Sequence, residues 1–109
     1  MMFDPDKIFT ALEDAGDAWA IHKANFEEKD DLTKTVLADL TTDYLNTCKS
    51  MAEAETRARC STGFKNHLAE VSAARRTWLL AQVKFENLKT LSELRRSQES
   101  SERAKMTLR

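Results

Sequence analysis

Two glycines and one proline in 109 residues leave this chain few places to turn sharply. Tight turns and hairpins draw on those residue types for an unusual or preset φ, so a sequence this poor in them favours long helices over strands. At this length one domain over 1–109 is expected, and a content of 32% charged and 41% hydrophobic residues is that of a soluble protein rather than a membrane one. Long helices in so short a chain bury little surface within one copy. The expected fold class is all-α: an extended helical hairpin or a three-helix bundle with a long C-terminal helix, dimeric.

Helix 1 is expected over about 5–28. Asp4 can cap its free amides, Pro5 suits the first helical position, and Phe3 with Ile8 has the spacing of a hydrophobic staple. Ile8, Leu12, Ala15, Trp19, His22 and Phe26 then follow at spacings of 4, 3, 4, 3 and 4, which places them on one stripe. Phe9 and Ile21 lie off it. The run Glu27-Glu28-Lys29-Asp30-Asp31 interrupts the stripe, and an aspartate before Leu32 could cap a new helix, so a corner is expected there, with a continuous helix of shifted phase as the alternative. Helix 2, over about 32–60, carries Val36, Leu37, Leu40, Tyr44, Cys48, Met51 and Ala54 on one face. Cys60-Ser61-Thr62-Gly63-Phe64 is the second break, with Ser61 or Thr62 as cap, and helix 3 runs over about 64–106.

Helix 3 has two apolar faces. At 3.6 residues per turn Val71, Ala74, Trp78, Ala81, Phe85 and Leu88 share one sector, which should meet helix 2. Leu80, Val83, Asn87, Leu91, Leu94 and Gln98 fall on nearly the opposite sector, where a simple hairpin should be polar. Helix 1 folding across to complete a bundle, the same helix of a second copy, or both at once could cover the stripe. Asn87 in its middle suits a seam whose register is fixed by one polar residue, and Leu80, Val83, Asn87, Leu91 and Leu94 are the candidate dimer or partner interface.

The formal net charge of -1 conceals a gradient. Residues 1–31 hold nine acids and three bases, whereas residues 57–109 hold five acids and twelve bases. The plain reading is oppositely charged helices packed side by side. The alternative is a phosphate-attracting half, in which Arg95, Arg96, Arg103 and Lys105 (with Arg109) contact phosphate or an acidic partner. No aromatic residue lies within that arm, so base stacking is unsupported.

Chemistry is thin. No G-x-G-x-x-G, P-loop, H-E-x-x-H or G-x-S-x-G motif occurs, so neither an enzyme nor a cofactor is expected. His22 reads as a packed histidine on an apolar stripe. His67 with Glu70 is half of a helical metal motif whose second copy is absent, and Cys60 with His67 makes only half a zinc site. Cys48 and Cys60 lack the spacing of a redox pair and are expected to be reduced and buried. Trp19 and Trp78 are core or interface anchors. The N-terminus has no basic segment followed by an apolar core, and nowhere do eighteen apolar residues run together. A cytoplasmic location with no membrane partner is expected.

From about Met51 to Leu108, the pieces AEAETRARCS, HLAEVSAARRTWLLAQVKFENLK and ELRRSQESSERAKM resemble small proteins encoded by bacteriophages and prophages among recombination and replication genes. The resemblance rests on a helical pattern and brings no catalytic residues. It implies a phage accessory protein that acts through protein or nucleic-acid contacts in the host cytoplasm. The expected function is a non-enzymatic binding protein that dimerises and serves as accessory to, or inhibitor of, a nucleic-acid-processing machine of phage or host. A direct nucleic-acid binder and an inhibitor of a host defence system are the alternatives.

Overall fold

The computed structural model describes residues 5–107, and among them every regular element is a helix: α1 Pro5–Asp31, α2 Thr33–Leu45, α3 Met51–Arg59 and α4 Thr62–Thr107. The expected cap at Asp4 and staple at Phe3 lie outside the described residues. Contacts cluster into two compact units. One joins the segment up to Ala20 to the segment from Leu79 onward, and the other is Ile21–Trp78. Helices α1 and α4 each contribute to both.

The expected break falls at Leu32, between the end of α1 at Asp31 and the start of α2 at Thr33, but the chain does not reverse there. Leu32 keeps helical dihedrals (φ -77, ψ -9) and makes no side-chain cap, and it is bonded on both sides, Leu32 N–H donating to Glu28 O at 3.3 Å and Val36 N–H to Leu32 O at 2.9 Å. With no glycine or proline between Glu27 and Leu32, nothing forces a reversal there. Glu27, Glu28, Asp30 and Asp31 are exposed, so the charges decorate a solvated turn of helix rather than capping a new one.

The helix expected over 32–60 is instead two helices. After Leu45 the backbone closes on one carbonyl, with Thr47 N–H and Cys48 N–H both donating to Tyr44 O at 3.0 and 3.1 Å. Ser50 then stands in extended conformation, its Oγ accepting from Glu53 N–H at 3.1 Å, while Glu53 Oε2 accepts from Lys49 N–H at 3.2 Å. That arrangement is a variant of the capping box, in which the glutamate reaches the amide just before the cap, and the cap is worth about 1 kcal/mol at its serine. It starts α3 afresh where propensity alone would have let one helix run on.

At the second break Ser61 does what the sequence suggested. Its Oγ accepts from Phe64 N–H at 3.2 Å and donates to Ala58 O at 2.6 Å, tying the end of α3 to the start of α4. Gly63 stands there with its Cα facing Leu40, where an added Cβ would be 3.5 Å from the leucine, an ordinary contact.

In the unit Ile21–Trp78, α3 packs on α2 and buries Ala54 and Ala58 completely, with Phe64 and Ala74 of α4 nearly so. Small residues let these helices approach closely. Thr41 is also buried, and its hydroxyl is satisfied by Leu37 O at 2.7 Å. Phe26 of α1 stacks on Trp78 of α4 with ring centroids 5.3 Å apart. The face of α4 expected to meet helix 2 is thus met at Trp78 by α1, because α1 leads into α2 without turning away.

In the other unit, Trp19 of α1 stacks on Phe85 of α4 at 5.4 Å, and among its described residues Ala15 is the one buried apolar side chain. Gly16 has a steric role here. A Cβ at that position would lie 3.3 Å from the Phe85 ring, tighter than side chains ordinarily tolerate.

Candidate interaction surface

The covered residues of α4 recur every three or four positions, and the surface opposite is the part of the molecule left unexplained by its own packing. Leu80 is 66% exposed, Val83 53%, Leu91 37% and Leu94 58%, and Asn87 and Gln98 are exposed with them. All lie on one helix, and helical periodicity brings them onto one face. Of the two coverings the sequence left open, helix 1 is not the one seen. Trp19 stacks on Phe85, on the first face of α4, and the described residues leave the second face bare.

On the covered side of α4 runs a groove of about 480 Å³, lined by Ala11, Asp14, Ala15 and Ala18 on α1 and by Ala81, Lys84 and Leu88 on α4. Alanine side chains are too short to fill it. The core is correspondingly light, with no large side chain fully buried among the described residues. Trp19 and Trp78 sit in the seam as anchors, half-buried, and their indole N–H groups are enclosed without an acceptor. Each orphaned donor costs about 1–3 kcal/mol, so the seam within one chain is only moderately favourable.

The basic arm is not one grip. Arg95 is half-buried and its Nε donates to Glu99 Oε1 at 3.4 Å, whereas Arg96, Arg103 and Lys105 are exposed. Arg96 and Arg103, seven residues apart, share a face, but Arg95 and Lys105 point elsewhere on the helix. Arg95 and Arg96 line a cleft of about 390 Å³ together with Asp6, Phe9, Leu12 and Glu99. Two carboxylates within that lining offset the two guanidinium groups, which suits an internal charge balance better than a phosphate cradle.

The remaining candidates have structural partners. His67 Nε2 is 2.9 Å from Thr33 Oγ1, tying α4 to the start of α2, and His22 is half-buried on the apolar stripe of α1. Among the described residues no group of three or more His, Cys, Asp or Glu side chains could hold a metal ion. Both cysteines are free thiols, but the expectation that both are buried fails. Cys60, at the end of α3, is exposed, because the turn into α4 opens there. No described helix is long and apolar enough to cross a membrane.

Sequence reasoning missed the capping box at Ser50, although Ser50-Met51-Ala52-Glu53 carries its signature. Compared with known proteins, the chain matches no family model, no curated protein and no solved structure.

Proposed function

We propose that this is a non-enzymatic helical binding protein that pairs with a second copy through the Leu80–Leu94 stripe and acts by protein–protein contact on a nucleic-acid-processing machine, as accessory or inhibitor. The observation that carries the pairing is the contrast within α4: its Trp78, Phe85 and Leu88 face is covered, while Leu80, Val83, Leu91 and Leu94 stay open. Burying a leucine or valine is worth about 1.5–3 kcal/mol, and roughly half of that remains available at these exposures, about 3–6 kcal/mol per chain before the cost of association. Two copies together supply about 6–12 kcal/mol against an association cost of about 4–15 kcal/mol, the scale of a weak, concentration-dependent pair.

The resemblance of the C-terminal half to phage-encoded proteins of recombination and replication loci supports the choice of target and a setting in the host cytoplasm. Pull-down with the wild-type chain and with Leu91→Glu/Leu94→Glu, followed by mass spectrometry, tests it. Stripe-dependent capture of a replication or recombination enzyme is expected, and stripe-dependent capture of a defence protein instead would move the function to inhibition of host defence.

Direct nucleic-acid binding is the second reading, favoured by Arg96 and Arg103 exposed on one face of α4. It requires affinity that falls with salt and is lost in Arg96→Glu/Arg103→Glu. A DNA or RNA mobility shift at low salt measures this, and its absence removes the reading.

A further inference from the structure

Resting on the pairing proposed above, we infer that the two copies meet antiparallel, across a two-fold axis that passes beside Asn87. Counted from Asn87, the apolar residues of the open stripe fall seven and four positions before it, at Leu80 and Val83, and four and seven positions after it, at Leu91 and Leu94. The spacing is a palindrome. A two-fold interface brings residue i onto j and j onto i, so an antiparallel pair centred on Asn87 sets Leu80 against Leu94 of the second copy and Val83 against its Leu91. Every apolar residue of the stripe then meets an apolar residue. A parallel pair matches any stripe to itself and asks for no such symmetry, whereas an antiparallel pair needs it, and these residues supply it.

The directions of the side chains agree. At 3.6 residues per turn, Leu80 and Leu94 lie roughly 20° to either side of the line through Asn87, and Val83 and Leu91 roughly 40°. Facing side chains therefore lean to opposite sides of the seam and interleave. At the centre each Asn87 amide offers both donor and acceptor, so the two related by the axis can exchange N–H···O bonds. A slip of one turn would set the amide against Val83 or Leu91 and leave it unsatisfied, which is how a single buried asparagine fixes register. Charge points the same way. Lys105 lies on the same face, eighteen residues beyond Asn87. Parallel pairing would oppose the two Lys105 ammonium groups, and antiparallel pairing holds them about 54 Å apart at about 1.5 Å per residue.

Crosslinking decides the orientation. In a chain carrying Cys48→Ser and Cys60→Ser, Leu80→Cys and Leu94→Cys are made separately and oxidised alone and mixed. Both positions are exposed, so the helices of each chain are retained, as circular dichroism will check. A disulfide needs Cα atoms within about 7 Å. In the antiparallel pair the two Leu80 positions are about 21 Å apart, so neither protein crosslinks alone and the mixture does. Adding Asn87→Leu should release the register and let each protein crosslink with itself. Self-crosslinking with asparagine in place, or a dimer by light scattering with no crosslink at all, overturns the antiparallel inference and leaves the pairing standing. A monomer by light scattering before any cysteine is introduced overturns the pairing itself.

Discussion

The two compact units of this chain share α1 and α4, and they bury their apolar residues to different extents. In Ile21–Trp78, three helix starts and ends are tied off by Ser50, Glu53 and Ser61, and four of the five buried apolar residues are found there: Ala54, Ala58, Phe64 and Ala74. Among the described residues of the unit formed by the N-terminal segment and the residues from Leu79 onward, Ala15 alone is buried, while Leu80, Val83, Leu91 and Leu94 stand exposed. The first unit is the better finished: its exposed apolar residues Ile21, Leu32, Leu45, Met51 and Leu68 fall no two on one element. The second leaves four along one face of α4, and it is there that a partner gains most.

That comparison can be broken at several points. The largest expected effect is at Phe64, 6% exposed in the finished unit, where Phe64→Ala should cost about 3–5 kcal/mol in chemical denaturation. Ala58→Leu should follow at about 1–3 kcal/mol or more, since a fully buried alanine between close helices has no room for the added volume. Ser50→Ala removes the α3 cap and should cost about 1 kcal/mol, with Glu53 losing its purpose at the same time, so the double substitution Ser50→Ala/Glu53→Ala should be far from additive. The smallest effect has the opposite sign. Gly63→Ala should stabilise by about 0.5–1 kcal/mol, because its backbone is not left-handed and the new methyl meets Leu40 at ordinary distance. Thermal melts of these variants would overturn the comparison if the finished unit tolerated Phe64→Ala as easily as a surface change.

The helical class and both apolar faces of α4 were legible in the sequence, because 3.6-residue periodicity is a local property and glycine and proline are nearly absent. The pairing of faces was not. The run Glu27–Asp31 looks the same whether the chain reverses after it or carries on in nearly the same direction, and only the helical dihedrals of Leu32 and the stacking of Phe26 on Trp78 show that α1 stays beside α4. The break at Asn46–Ser50 was missed for the converse reason. It contains neither glycine nor proline, and its signal is the serine–glutamate pair that begins the next helix rather than a residue that ends the previous one. For the interface, the sequence could place Leu80, Val83, Asn87, Leu91 and Leu94 on one side of a helix, whereas whether α1 covered them depended on a turn that is absent.

The measurement that bears most directly on the open surface is multi-angle light scattering after size exclusion, over a range of concentrations, on the wild type and on Leu91→Glu/Leu94→Glu. The expected result is a wild-type mass of twice the 12.4 kDa chain that falls towards one chain on dilution, with the double variant monomeric and still fully helical. A wild type that stays monomeric at every concentration, indistinguishable from the variant, would contradict the account.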